Sequence, residues 1–224
     1  MPARIRGTLQ LDFDGTLAHG DVSTGILARF LSPRWLERVE AASREIVANP
    51  ESSALIATMT EGFAALTGDA EDYLRYARKN HPARTGLAEL IETAEGLGLE
   101  CHIVSNGFEF YIRDYLRAAG IEDKVEIHSG FTSGEGSLVY LGPGGLPVRS
   151  RFKVAWAEHF LAQHDLLIYT GDGSSDLAPA QRASIVFARD SLLSRMPASF
   201  PGTLRPFDTL HDVSRGLEAL LGER

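Results

Sequence analysis

The chain is poor in the features that mark special environments, and each shortage closes off a class of protein. One cysteine, Cys101, stands among 224 residues, so no internal disulfide can staple the fold. No run approaches the roughly 18 to 20 uninterrupted apolar residues that span a bilayer, which excludes a helical pump or channel. Met1 to Gln10 lacks the apolar segment that directs secretion. With the single thiol, this makes a cytoplasmic protein without membrane attachment the expectation. Lys and Arg number 22 against 30 Asp and Glu and form no runs, and the net charge of −8 argues against a nucleic-acid partner. There is neither an internal repeat nor a low-complexity tail. A hydrophobic share of 44% is enough for one substantial core, or for a core and a smaller lobe. The oligomeric state is not written in these numbers.

What is present is an alternation of strands and helices, interrupted once. Thr8 to Leu11 reads as a strand, and the next clear strand is Cys101 to Val104. Between them the pattern is helical: a short run at Ile26 to Leu31, then a helix opened by Ser32-Pro33 and stopped by Asn49-Pro50. A third carries Leu55, Ile56, Met59, Phe63 and Leu66 on one face, and a fourth runs from Asp69 to His81-Pro82. These predict a small helical lobe over residues 20–82, inserted into a core made of 1–19 and 83–224. The core continues with a helix over 87–96 and another whose buried face is Phe108, Tyr111, Ile112, Tyr115, Leu116 and Ala119, ended by Gly120. A strand follows at 124–128, a hairpin or loop over 130–147, a helix over 152–164, and strands at 166–169 and 185–187. The expected fold class is α/β: a Rossmann-like, doubly wound, mostly parallel sheet with an inserted helical cap.

The richest single feature is Leu11-Asp12-Phe13-Asp14-Gly15-Thr16-Leu17. Alternation along a strand sends Asp12 and Asp14 to one side and Phe13 to the other, into packing. Two carboxylates held together call for a cation, a shared proton or a phosphoryl group. In open sheets, ligands gather beyond the carboxyl ends of strands, and three further polar groups stand at such places: Ser105-Asn106-Gly107, the region leading to Lys153, and Gly171-Asp172-Gly173-Ser174-Ser175-Asp176. Arg149 and Arg151 compete with Lys153 for the role of the cation. His102 and His128 lie within strand patterns and, like His19, are read as packing or loop residues and not as ligands. Cys101 is read as a small buried apolar residue. The aromatic stripe of Phe108, Tyr111 and Tyr115 is read as core, with Phe108 and Glu109 near enough to the site to touch a substrate.

In this order the four groups resemble the motifs of the haloacid dehalogenase superfamily, chiefly its magnesium-dependent phosphatases, over nearly the whole chain. The resemblance implies a phosphomonoesterase acting on a small phosphorylated metabolite. Asp12 is its nucleophile, forming an aspartyl phosphate, and Asp14 its general acid and base. It also implies Mg2+ bound by Asp12, the Asp14 main-chain carbonyl and Asp172, supported by Asp176, and Lys153 neutralising the phosphoryl group. Ser105, Asn106 and Gly107 would cradle the phosphate at a helix start.

The helical lobe resembles the cap of the phosphoserine-phosphatase-like branch. That branch's serine-phosphate enzymes carry a glutamate nine residues after the nucleophile and a cap arginine. Here Asp21 stands at that position, and no arginine occurs from Glu45 to Leu74. The segments Ile168 to Asp176 and Val186 to Leu193, with Asp21, look instead like methionine-salvage phosphatases acting on 2-hydroxy-3-keto-5-methylthiopentenyl-1-phosphate. That implies Asp21 and Ser175 as substrate-binding residues. A dehalogenase would need neither Asp14 nor the acidic metal cluster, and a phosphonate hydrolase would need a cap lysine, for which only Lys79 is available. The other readings are a phosphoserine-type phosphatase and, in a different class, a catalytically silent regulator that binds Mg2+ or an anion on the same fold.

Overall fold

In a computed structural model, which describes residues 7–134 and 136–222, a seven-stranded sheet has β1 (Gly7–Leu11) near its middle. All five residues of β1 are buried, as befits a strand covered on both faces. It pairs in parallel with β2 (Leu99–Phe108) on one side and β5 (Leu166–Gly171) on the other. Beyond β2 lie β3 (Glu126–Thr132) and the short antiparallel β4 (Leu138–Val139). Beyond β5 lie the parallel strands β6 (Ile185–Ala188) and β7 (Thr203–Pro206). Strand order therefore reverses at β1, and the carboxyl ends of β1, β2 and β5 open into one crevice.

The interruption after β1 consists of four helices: α1 (Val22–Phe30), α2 (Arg34–Ala48), α3 (Ala54–Ala64) and α4 (Ala70–Asn80). Asp21 caps α1 by accepting from the Thr24 N–H at 2.7 Å, and Asp69 caps α4 by accepting from Glu71 at 3.0 Å. The chain leaves and returns at one place: Ala18 bridges Ala83, the His19 N–H donates to the Pro82 carbonyl, and that of Arg84 to the Leu17 carbonyl. Leu55, Met59 and Phe63 of α3 join the same hydrophobic cluster as Phe13 and Phe108, so the insertion is packed onto the sheet rather than tethered beside it. The remaining helices are α5 (Leu87–Gly96), α6 (Glu109–Ala118), α7 (Phe152–Gln163), α8 (Leu177–Ala180), α9 (Asp190–Arg195) and α10 (Leu210–Leu221).

Three details depart from the sequence reading. The strand expected at 124–128 begins at Glu126, after a 3-10 turn over Glu122–Lys124, because pairing of His102 with Glu126 sets its register. Ser105, Asn106 and Gly107 lie inside β2 rather than after it. Pairing with β3 is irregular between Val104 and Phe108, and this bulge turns them toward the crevice. After Phe187, β7, α9 and α10 had no reading: β7 is a four-residue edge strand, half of it exposed, with little hydrophobic pattern to betray it.

Candidate active site

Asp12 follows β1 directly, its N–H bonded to the Thr170 carbonyl of β5 at 2.9 Å, which carries the strand pairing one residue past Leu11. Phe13 turns away and is fully buried against Tyr111 and Tyr115, with ring centroids at 5.7 and 5.3 Å. The chain then folds sharply back. Gly15 has φ of 78°, and a Cβ there would lie 2.2 Å from Asp172 Oδ2, so conformation and space both demand glycine. Arg84 holds this turn from below, its buried guanidinium donating to the Gly15 and Thr16 carbonyls at 2.9 Å each.

Lys153 stands in the first turn of α7, whose entry is fixed by Gln10 of β1 donating to the Lys153 carbonyl at 3.1 Å. Its ammonium, 4% exposed, lies 2.7 Å from Asp12 Oδ1 and 2.6 Å from Asp176 Oδ1. Burial works against the charge, but the two carboxylates outweigh it and raise the Lys153 pKa. Arg151 faces outward to Glu51 and Glu158, and Arg149 lines a different groove. Of these three cations, Lys153 is the one that reaches Asp12.

Asp176 is enclosed by donors. Oδ1 accepts from Lys153 and from the Tyr169 hydroxyl at 2.6 Å, while Oδ2 accepts from the Asp172 and Gly173 N–H groups at 3.1 and 2.8 Å. Burial disfavours its charge, but Lys153 and these hydrogen bonds prevail and hold its pKa below the usual value. With both oxygens so engaged, Asp176 orients its neighbours more than it offers a free ligand. Asp172 accepts from Thr16 at 2.8 Å, and its carbonyl accepts from the Leu192 N–H at the start of α9. Burial and then the Asp176 charge push its pKa up to about 7. Asp12 is driven well above the ordinary carboxylate value by burial and the Asp176 charge, in spite of Lys153.

Asp14 has a different setting. Oδ2 accepts from Ser23 at 2.7 Å and Tyr111 at 2.9 Å, and Oδ1 is buried with no hydrogen-bond partner among the described residues. Burial, then the Asp21 charge, raises its pKa to about 7. Asp14 and Asp21 therefore meet through Ser23, whose single hydroxyl proton also lies within reach of Asp21 Oδ1 at 3.0 Å. Ser105 accepts from the Gly107 N–H at 3.0 Å, and a Cβ on Gly107 would collide with the Tyr111 hydroxyl. Ser175 approaches Lys153 at 3.2 Å.

Asp12, Asp14, Asp21, Ser105, Asn106, Gly107, Lys153, Asp172 and Ser175 all line one cavity of about 320 Å³, with Asp176 behind its floor. Phe108 and Glu109, expected near a substrate, do not line it: Phe108 is buried against Phe63 and Tyr140. Tyr111, read only as core, belongs to the site through its hydroxyl. Its phenol on an otherwise largely apolar helix face was the signal, but only its approach to Asp14, 97 residues away, gives that hydroxyl a task. Ser23, Arg84 and Arg189 at the cavity edge had no reading.

Oxygen atoms of Asp12, Asp172 and Asp176 lie within 4.8 Å of one another. One ammonium faces this group, and burial leaves Asp12 and Asp172 under strong pressure to lose their charge. An all-oxygen, under-neutralised donor set of this kind suits a hard divalent cation such as Mg2+. The Asp14 carboxylate is outside that group, with Oδ2 turned to Ser23 and Tyr111.

Residues 10–181 match the haloacid dehalogenase-like hydrolase family, and the chain belongs to it. It is similar to a protein of Exiguobacterium sp. strain AT1b named 2-hydroxy-3-keto-5-methylthiopentenyl-1-phosphate phosphatase, 25% identical over 209 residues, which cover 91% of this chain and 93% of the other. A protein of the same name from Lysinibacillus sphaericus is 26% identical, covering 94% of this chain and 93% of its own. Among solved structures, a phospho-aspartyl intermediate analogue of phosphoserine phosphatase superposes with a TM-score of 0.63 at 16% identity, over 95% of this chain and 99% of that one. That likeness concerns the fold. Among the described residues, no helix is long and apolar enough to cross a membrane.

Proposed function

We propose that this chain is a magnesium-dependent phosphomonoesterase in which Asp12 is the nucleophile and Asp14 the general acid and base. The observation that carries the reading is the unequal setting of the two acids. Lys153 pairs with one oxygen of Asp12 at 2.7 Å and works against the burial and the Asp176 charge that raise its pKa, whereas Asp14 has only neutral hydroxyl donors, is pushed up to about 7 by burial and the Asp21 charge, and keeps one buried oxygen free. A carboxyl paired with an ammonium is placed to serve as the nucleophile, and one held by neutral hydroxyls with a pKa near 7 is placed to give up and take back a proton. Asp12, Asp172 and the Asp14 carbonyl would hold Mg2+, with Asp176 fixing the loop. When bound, the ion offsets the negative charge that carboxylates and phosphate bring together.

The free Asp12 oxygen attacks phosphorus, the ester P–O bond breaks, and the leaving alkoxide takes the Asp14 proton. Water then attacks phosphorus and gives its proton to the Asp14 carboxylate, releasing inorganic phosphate and restoring Asp12. Tyr111 and Ser23 keep Asp14 on the leaving-group side, and the Ser105 hydroxyl, held by the Gly107 N–H, receives a phosphoryl oxygen together with the Asn106 N–H. Residues 20–82 serve as a cap that closes the cavity against water.

The cap side of the cavity indicates the kind of substrate. Val39 of α2 and Leu55 and Met59 of α3 line it, with Ser43 the only polar side chain from α2. Arg38 and Arg44 of α2 are paired with Glu61 and Glu40 at the surface. No cap cation is thus offered to a substrate carboxylate, which disfavours serine phosphate, and the apolar wall suits a short uncharged tail such as a methylthioalkyl group. This reading makes a methionine-salvage phosphate ester the substrate, consistent with the named relatives. Phosphate release measured with 2-hydroxy-3-keto-5-methylthiopentenyl-1-phosphate and with phosphoserine, in a panel of about a hundred phosphometabolites, tests it. A clear preference for phosphoserine would overturn the substrate, and turnover undiminished in Asp12→Asn would overturn the mechanism.

A further inference from the structure

β2, whose far half reaches the active site, and its neighbour β3 carry a second polar cluster. His102 of β2 pairs directly with Glu126 of β3, and Glu126-x-His128 places the latter two on one face by strand alternation. Three atoms converge there: His102 Nδ1, His128 Nε2 and Glu126 Oε2. They are separated by 3.1 Å between the nitrogens, and by 3.5 and 3.9 Å from the carboxylate oxygen to His102 and His128. A point equidistant from three atoms so spaced lies about 2.0 to 2.1 Å from each, which is the length of a zinc–imidazole or zinc–carboxylate bond.

The surroundings hold the two rings in place. Trp156 of α7 stacks on His128 at 3.6 Å between centroids, and Phe160 packs on His102 at 4.4 Å. The far nitrogen of His102, Nε2, faces the Glu100 carboxylate at 3.8 Å, where a ring proton on that nitrogen would leave the Nδ1 lone pair directed inward. Burial lowers the pKa of both histidines, to about 3 for His128, so both stay neutral and able to ligate. A single proton shared between two facing nitrogens would account for their contact, but not for the exposed Glu126 oxygen arriving at the same point.

We infer that His102, His128 and Glu126 form a binding site for one borderline divalent transition ion of the zinc class, clipping β2 to β3 on the sheet face packed against α7, separate from the residues that line the carboxylate cavity. Two nitrogens and one oxygen select such an ion over Mg2+, which prefers an all-oxygen shell, and a fourth position remains for water. On binding, the proton between the rings moves to His128 Nδ1, and both inward nitrogens donate to the ion.

Cobalt(II) is a suitable probe, because a four-coordinate site with nitrogen ligands absorbs visible light strongly and an octahedral all-oxygen site does not. One equivalent added to the magnesium-loaded full chain should produce an intense visible band. Glu126→Ala, an exposed position, should weaken binding about tenfold or more, and His128→Gln should abolish the band while magnesium-dependent turnover shows the fold intact. Asp172→Asn should keep the band, since that residue belongs to the other site. No intense band in the wild type at saturating cobalt overturns the proposal. So does a band that survives both His128→Gln and Glu126→Ala, or one that is lost in Asp172→Asn.

Discussion

The sheet side of the cavity presents buried carboxylates, a buried lysine and hydroxyls, each held by at least one directional partner; the α2 and α3 side presents Val39, Leu55 and Met59 with hardly a polar atom. On the first side almost every polar atom has an assigned contact: Asp176 takes four donors, Asp172 is fixed by Thr16, and Asp14 by Ser23 and Tyr111. On the second side the contacts are apolar and non-directional. Chemistry needs charges placed to within fractions of an ångström, whereas selection of a tail needs only shape and exclusion of water. One wall is therefore intolerant of change and the other adjustable.

The sharpest way to break this contrast is at Asp12. Asp12→Asn keeps the shape and removes the proposed nucleophile, and phosphate release should fall by about 10^4-fold or more; a loss of less than about tenfold would place Asp12 among the merely structural residues. Next comes Asp14→Asn, expected to lower kcat by about 10^2- to 10^4-fold for alkyl phosphates, whose leaving groups need a proton. The loss should shrink markedly with p-nitrophenyl phosphate, whose leaving group does not. Equal losses on both esters would show that Asp14 is not the acid.

On the other wall, Met59→Ala should reduce kcat/KM for an ester with an apolar tail by about tenfold, chiefly through KM. It should leave a short polar ester such as glycerol phosphate nearly unchanged. Equal effects on both would mean that the α3 wall does not select the tail.

The smallest effect concerns stability. Burial and Asp176 give the folded state an Asp172 carboxyl with a pKa of about 7, well above its unfolded value. In magnesium-free buffer the folded protein therefore binds a proton that the unfolded chain has already lost, over the window from about pH 4 to pH 7. The stability this provides is complete below the window and lost as pH rises through it. Asp172→Asn, which cannot ionise, should melt a few degrees above the wild type at pH 8 and level with it at pH 4. Adding Mg2+ at pH 8 should stabilise only the wild type and close or reverse the gap. A wild type that melts higher at pH 8 without Mg2+ would contradict the charge balance drawn here.

The local motifs were legible because each is complete within a few residues. Asp12-Phe13-Asp14-Gly15-Thr16 records the strand alternation, the turn and the glycine that the turn requires, and Gly171 to Asp176 records a second strand end. Helices with a strong apolar face, such as α3 and α6, were equally plain. What escaped was set by distance along the chain: Tyr111 looked like any aromatic on a buried face, and Arg84 like any charge before a helix. The Gly- and Pro-rich stretch after residue 130 could be read only as a hairpin or loop, and it forms the antiparallel β4 and a turn bridged by Leu141 and Pro147.

By itself, the order of residues determined the strand-and-helix alternation, the pair of acids at the end of the first strand and the helical interruption that follows it, because backbone propensity and side-chain periodicity act over short range. Only the folded sheet decided that Lys153 sits between Asp12 and Asp176, and that Asp14 is held by a tyrosine and a serine from opposite lobes. It also brought Glu126 and two histidines to a common point. Those outcomes depend on which strands become neighbours, and pairing between distant segments is settled by burial of the whole core, not by any local stretch of it.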